Sequence, residues 1–287
     1  MKPTAFDRCH PAVQACYFAA VLVLAMAAFQ PVLVALALAG GIAYSFYLRG
    51  WRSTLRTAAW QLPLVAVIAV ANPLFSASGS TELLRIGPRA VYAESLAYGA
   101  CMGVLLVSVV LWFSNASRVL TTDKVMALVG GRAPTIALML SMAQRLVPRF
   151  VRRGAEIEAV QHACAAARPH GARDRTAGRV RFVSVLMGWS MEDSLETADA
   201  MRARGWGTSP VRTTYRRDRF RARDGAALGA VAAFAVLCAL LAGAATMQFS
   251  FYPTMSTLVW WWGYAPYALF MFLPFVLQAA EEVRWMR

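Results

Sequence analysis

The sequence predicts an all-α membrane protein, and three observations carry that expectation. Six apolar stretches approach the length of a bilayer crossing, the cations bunch between those stretches, and the composition is too apolar for an ordinary soluble domain. Of 287 residues, 59% are hydrophobic and only 15% are charged; soluble domains carry about 25% charged residues. The mean hydropathy of +0.48 points the same way.

A spanning helix needs about 20 mostly apolar residues. On that criterion six spans are expected, over 12–29, 31–47, 60–75, 91–113, 226–247 and 258–278. Gln30-Pro31 separates the first two, because proline lacks the amide that would continue a helix and disfavours helical geometry in the residue before it. Lys2 and Arg8 precede the first apolar run, but no small-residue cleavage site follows at signal-peptide distance, so this run is read as a retained span. The expected organisation is four membrane helices in 1–113, a polar cytoplasmic segment over 114–224, and two membrane helices in 225–287.

Orientation follows from the connections. The one after the second span carries Arg49, Arg52 and Arg56, and reads as cytoplasmic. The one after the third balances Arg85 and Arg89 against Glu82 and Glu94, and the one after the fifth, 248–257, has no charge. Both read as external. With six spans both termini are then cytoplasmic, in agreement with Lys2 and Arg8 at one end and Arg284 and Arg287 at the other. The net charge of +14 is thereby assigned to topology rather than to nucleic acid.

The 114–224 segment holds about twenty of the 29 Lys and Arg residues. Within it 133–147 and 182–191 are apolar but too short for confident spans, and they are expected to lie against the membrane helices or in the interface. Ser190-Met191-Glu192-Asp193 has the form of a capping box, so a helix of about 13 residues is expected from there to a left-handed stop at Gly205. An earlier helix of about 20 residues is expected from Pro148 to Arg168-Pro169, with Ile157, Val160, Cys164 and Ala167 at helical steps. Each helix thus finishes on an arginine. A cation there offsets the helix dipole by about 0.3 to 1 kcal/mol; it is also a planar fork able to pair bidentately with a carboxylate on another protein.

Cysteines 9, 16, 101, 164 and 238 are scattered without a CxxC pair, and His10, His162 and His170 lack metal-ligand spacing, so neither a disulfide framework nor a metal site is expected. No GxxxxGK[ST] phosphate loop is present, and Gly130-Gly131-Arg132 reads as a turn.

Residues 200–207, Ala-Met-Arg-Ala-Arg-Gly-Trp-Gly, resemble the second Ala-Arg-Gly signature of the transmembrane T component of energy-coupling factor (ECF) transporters, the EcfT/CbiQ family. Supporting similarities are 156–168 (EIEAVQHACAAAR), 143–149 (AQRLVPR), Leu120-Thr121-Thr122 and the external turn over 72–98. The first signature departs from the family pattern: it reads Ala167-Arg168-Pro169, and proline cannot adopt the left-handed conformation open to glycine.

The resemblance implies a multi-pass subunit of a bacterial or archaeal cell membrane, non-catalytic and without a cofactor of its own. Its implied partners are two cytoplasmic ABC ATPases, which bind the ATP, and a small membrane S component that captures a vitamin or transition-metal ion. Two coupling helices are then expected to seat in the ATPases, with Ala203-Arg204-Gly205 and Ala167-Arg168-Pro169 at their tips. The rival readings are a self-sufficient secondary transporter or channel, which calls for ionisable groups or broken helices at mid-membrane, and a membrane-embedded enzyme, which calls for clustered His, Asp or Glu.

Overall fold

The computed structural model describes residues 10–75, 79–86, 89–130, 133–164, 172–208, 220–252, 255–256 and 261–285. Nine helices and one short hairpin are found among them. The chain divides into two compact units, Met1–Val125 with Asp218–Arg287, and Met126–Arg217.

The first unit contains the apolar helices. They are α1 (Pro11–Ala27), α2 (Pro31–Arg49), α3 (Trp51–Phe75), α4 (Ala93–Val119), α8 (Ala222–Met247) and α9 (Tyr264–Trp285); α5 (Thr122–Gly130) follows α4, and the division between the units falls within it, after Val125. Four of these, α2, α3, α4 and α8, are long and apolar enough to cross a membrane; α1 and the 264–279 part of α9 are apolar but shorter. Pro11 and Pro31 occupy the first turns of α1 and α2, where a missing amide costs nothing.

Aromatic side chains fill the centre of this unit. Tyr17, Phe18, Tyr44, Trp112, Tyr267 and Phe270 are almost wholly buried in one cluster with Val21, Leu33 and Met271. The polar atoms of Trp112, Tyr17 and the neighbouring Asn115 reach helix carbonyls, each of which has a second lone pair to offer. The Trp112 indole N–H donates to the Ala37 carbonyl at 2.9 Å, Asn115 Nδ2 to the Gly41 carbonyl at 3.0 Å, and the Tyr17 hydroxyl to the Phe270 carbonyl at 2.9 Å. In this way α4 is bonded to α2, and α1 to α9.

Small residues set how close the helices come. Gly99 and Gly103 lie on one face of α4, and a methyl group added at Gly103 would stand 3.0 Å from the Val65 Cα, while one at Gly99 would stand 3.1 Å from the Ala69 Cα. This Gly-x-x-x-Gly pair lets the α3 and α4 backbones touch. On α2, a methyl at Gly40 would meet Met271 Cβ at 3.0 Å, and one at Gly41 would meet Trp112 Nε1 at 3.1 Å.

The structure corrects one expectation at the ends of these helices. The connection after α2 is the single residue Gly50, with φ of 79°, and Arg52 and Arg56 lie on the opening turns of α3 instead of in a loop. The Gly50 carbonyl accepts from the Thr54 amide at 3.2 Å and from the Thr54 hydroxyl at 3.1 Å, so it already belongs to the first turn of α3. The fold is all-helical, as expected, apart from one short hairpin that was not anticipated. Strands β1 (Glu82–Ile86) and β2 (Arg89–Tyr92) pair antiparallel, with an irregularity between Glu82 and Leu84. The sequence held a signal for this in Gly87-Pro88, a turn-forming dipeptide between two short runs containing Ile86, Val91 and Tyr92.

Glu94, buried in the first turn of α4, ties the hairpin segment to that helix. Its carboxylate accepts from the Ser80 hydroxyl at 2.9 Å, the Thr81 amide at 3.2 Å and the Thr81 hydroxyl. Asn72 Nδ2 donates to the Ser95 carbonyl at 2.7 Å, which joins α3 to the same helix start.

Gly103→Ala is expected to destabilise the membrane unit by about 1 to 3 kcal/mol, because its nearest obstacle is backbone and cannot swing aside. Thermal unfolding of the purified chain in detergent reads this as a lowered midpoint. An unchanged midpoint would contradict the close α3–α4 approach.

Candidate functional site

The second unit is built on two long helices, α6 (Pro134–Ala163) and α7 (Ala172–Ala203). Both are longer than the sequence suggests, at 30 and 32 residues. The expected starts at Pro148 and Ser190 are overturned. Pro134 takes the first-turn position of α6, and Pro148 lies inside the helix. Ser190 sits within α7, where its hydroxyl donates back to the Met187 carbonyl at 2.8 Å, so it caps nothing. A serine followed by acids has the same composition whether the preceding residues are helical or not, and here the apolar run before it continues the helix.

The two helices meet around one crossing. Gly154 is buried, and a methyl group there would meet the Phe182 ring at 3.2 Å. The Phe150 and Trp189 rings stand edge to face at 5.8 Å, and the Arg153 guanidinium lies 5.3 Å from the Trp189 ring centre. Arg149 Nη1 pairs with Asp193 at 3.2 Å. Asp193, expected in a helix cap, instead joins the helices.

Both helices of this unit also carry exposed apolar side chains. On α6 these include Ile136, Met139, Leu140, Val147 and Val151; on α7 they include Val180, Val183, Met187 and Met191.

The C-terminus of α7 agrees with the expected stop. Gly205 has φ of 79°, the Gly205 amide donates to the Arg202 carbonyl at 2.9 Å, and the Trp206 amide to the Met201 carbonyl at 3.0 Å. These two bonds are those of a Schellman motif, which satisfies the last carbonyls of a helix through a residue in the left-handed region. Thr208 adds a hydroxyl bond to the Gly205 carbonyl at 2.7 Å, and Gly207 is left-handed too, with φ of 91°. Ala203 ends the helix and Arg204 is its cap residue, so the Arg204 Cα position is fixed from both sides by backbone bonds.

The arginines at this end differ. Arg202 lies 3.8 Å from Asp199 on the exposed surface. Arg204 is exposed, and among the described residues its guanidinium has no hydrogen bond or ion pair. Its five donors are therefore available to another molecule.

The counterpart, Ala167-Arg168-Pro169, lies outside the described residues. The described part of α6 ends at Ala163, with Cys164 as its cap residue and the Cys164 amide bonded to the Val160 carbonyl at 3.0 Å. Among the described residues no three His, Cys, Asp or Glu side chains are grouped to hold a metal ion.

Gly205→Ala puts a Cβ into the left-handed region and is expected to cost about 1 kcal/mol at the α7 terminus. Hydrogen exchange should show faster loss of protection at the Gly205 and Trp206 amides, with the amides at the α6–α7 crossing unchanged. Equal protection in parent and variant would contradict the motif.

No protein-family model matches this chain, and no curated protein matches it.

Proposed function

We propose that the chain is the transmembrane scaffold subunit of an ECF-type ABC importer, coupling ATP hydrolysis by two cytoplasmic ATPases to movement of a separate S component that captures a vitamin or transition-metal ion. The observation that carries this reading is the Arg204 terminus of α7: an exposed, unpaired guanidinium on a helix end fixed by a Schellman motif. Such a group is pre-organised for a bidentate pair with a carboxylate, since its backbone is already ordered before any partner arrives. The sequence around it, Ala203-Arg204-Gly205-Trp206-Gly207, is the part that resembles the family signature. Arg168, in Ala167-Arg168-Pro169, is assigned the corresponding role toward the second ATPase on the resemblance alone.

In this reading the protein has six spans. α1 has 17 residues, a length of about 25 Å against a hydrocarbon thickness of about 30 Å. Its buried face of Val13, Tyr17, Phe18, Val21 and Leu24 packs against the other helices, while Val23 and Met26 on its opposite face are exposed and apolar, as suits contact with lipid. Both termini are cytoplasmic, and 126–217 lies on the same side. The exposed apolar faces of α6 and α7 suit a unit that works against lipid or another membrane protein.

Arg204→Ala is expected to weaken ATPase binding by about 2 kcal/mol or more, roughly 30-fold in Kd. Purification of the tagged chain from native membranes tests this: two subunits bearing GxxxxGK[ST] phosphate loops should accompany the parent and be depleted from the variant. Arg204→Lys keeps the charge but not the fork, and is expected to fall between them. Full ATPase retention by a stably inserted Arg204→Ala chain would overturn the coupling role. Arg168→Ala is expected to act in the same direction; unchanged ATPase retention in that variant would confine the role to Arg204.

A further inference from the structure

The chain leaves the membrane unit after Val125 and re-enters it at Asp218, and residues beside both crossings are bonded to the start of α1. Beside the exit, Lys124 is buried, and its Nζ donates to the Val119 carbonyl at 2.8 Å and to Gln14 Oε1 at 3.0 Å. Val119 is the last residue of α4, so the ammonium sits at the negative end of that helix. Gln14, fully buried on α1, supplies the other oxygen.

Beside the return, Asp224 in the first turn of α8 uses one carboxylate oxygen to accept from the Arg221 amide at 3.0 Å, and the other to accept from the His10 amide at 3.3 Å. His10 is the cap residue of α1: its Nδ1 accepts from the Ala12 amide at 3.2 Å. Its ring also meets Phe220 edge on at 5.2 Å. One carboxylate therefore satisfies amides at the starts of two helices, α1 and α8. His10 and Gln14 are four residues apart, one turn of helix.

Neither attachment belongs to the aromatic core, which begins further along α1 at Tyr17. Burying an ammonium is costly unless oxygens surround it, and apolar side chains would fill the Lys124 position without that cost. What the polar pair adds is a defined geometry at the point where the chain departs.

We propose that the first turn of α1 is a clamp holding both crossings, through Gln14 and Lys124 on the way out and through His10 and Asp224 on the way back. Gln14, Lys124 and Asp224 are its positioning residues. They pass movement of 126–217 into α1, α4 and α8 instead of letting it dissipate as fraying of the helix ends. This rests on the proposed role of 126–217 in coupling and extends it to named residues.

Two variants of the full chain test the clamp. The double variant Lys124→Met with Gln14→Leu replaces the polar pair by apolar groups of similar shape, a change close to neutral for folding. Asp224→Asn keeps the shape and removes the charge. In the purified chain, hydrogen exchange at 120–125 in the first variant, and at 10–12 and 220–225 in the second, is expected to rise at least tenfold, with the centres of α2 and α4 as protected as in the parent. In the complex with its ATPases, ATP is expected to alter exchange within α1 and α8 of the parent but not of either variant, while ATP hydrolysis stays within twofold. Parent-like exchange at both junctions, or a parent-like response to ATP, overturns the clamp. A parent chain that binds no ATPases overturns the scaffold reading instead, and the junction exchange by itself then decides whether the clamp exists.

Discussion

Close approach of helix backbones is the constraint on which the membrane unit depends. Lipid tails are as apolar as the side chains they touch, so burying a leucine between two spans gains little over leaving it in lipid. Association has to come from contact at short range and from bonds that lipid cannot supply. The Gly99 and Gly103 face brings α3 against α4, and Gly40 and Gly41 bring α2 against α9 and α4. That closeness puts the Trp112 indole and the Asn115 amide within reach of α2 carbonyls. A larger residue on these faces would remove packing and hydrogen bonds together.

The Met126–Arg217 unit is held by different means. Its crossing combines an edge-to-face aromatic pair, an arginine over a tryptophan ring and a half-buried Arg149–Asp193 pair. All are concentrated in the middle of α6 and α7. From Asp193 to Arg204 is eleven helical steps, about 16 Å. The Arg204 end therefore projects well past the contacts that position the helix. Its precision comes from the terminal hydrogen bonds alone, and for that reason Gly205 is required at a site distant from the helix crossing.

Much of this was legible in the sequence, and what was not has identifiable causes. Mean apolarity located all six apolar helices, because a stretch such as 31–47 has no other low-energy environment. Gly205 announced the end of α7, since the left-handed stop is a local property of a glycine following a helical pattern. Helix beginnings were harder. Pro148 and Ser190 both carry residue types favoured at N-termini, yet both lie within helices whose neighbours on either side are equally good helix formers. The Glu94 bonds and the Gln14–Lys124 pair were invisible for another reason: they join residues 13 and 110 positions apart, and no local pattern encodes that. Among the site residues, Arg204 was found by pattern and its pre-ordered backbone by structure, while Arg168 rests on sequence.

The single-residue joint at Gly50 bears on how the two helices it joins are oriented. With Gly50 alone between them, α2 and α3 share one short joint and have no loop in which to separate. Arg49, Arg52 and Arg56 fall within eight positions across that joint, so in the proposed topology a single stretch of cations holds the end of α2 and the start of α3 on one side together. In that topology the orientation of α2 and the orientation of α3 are set together, by one cluster of cations, and not separately.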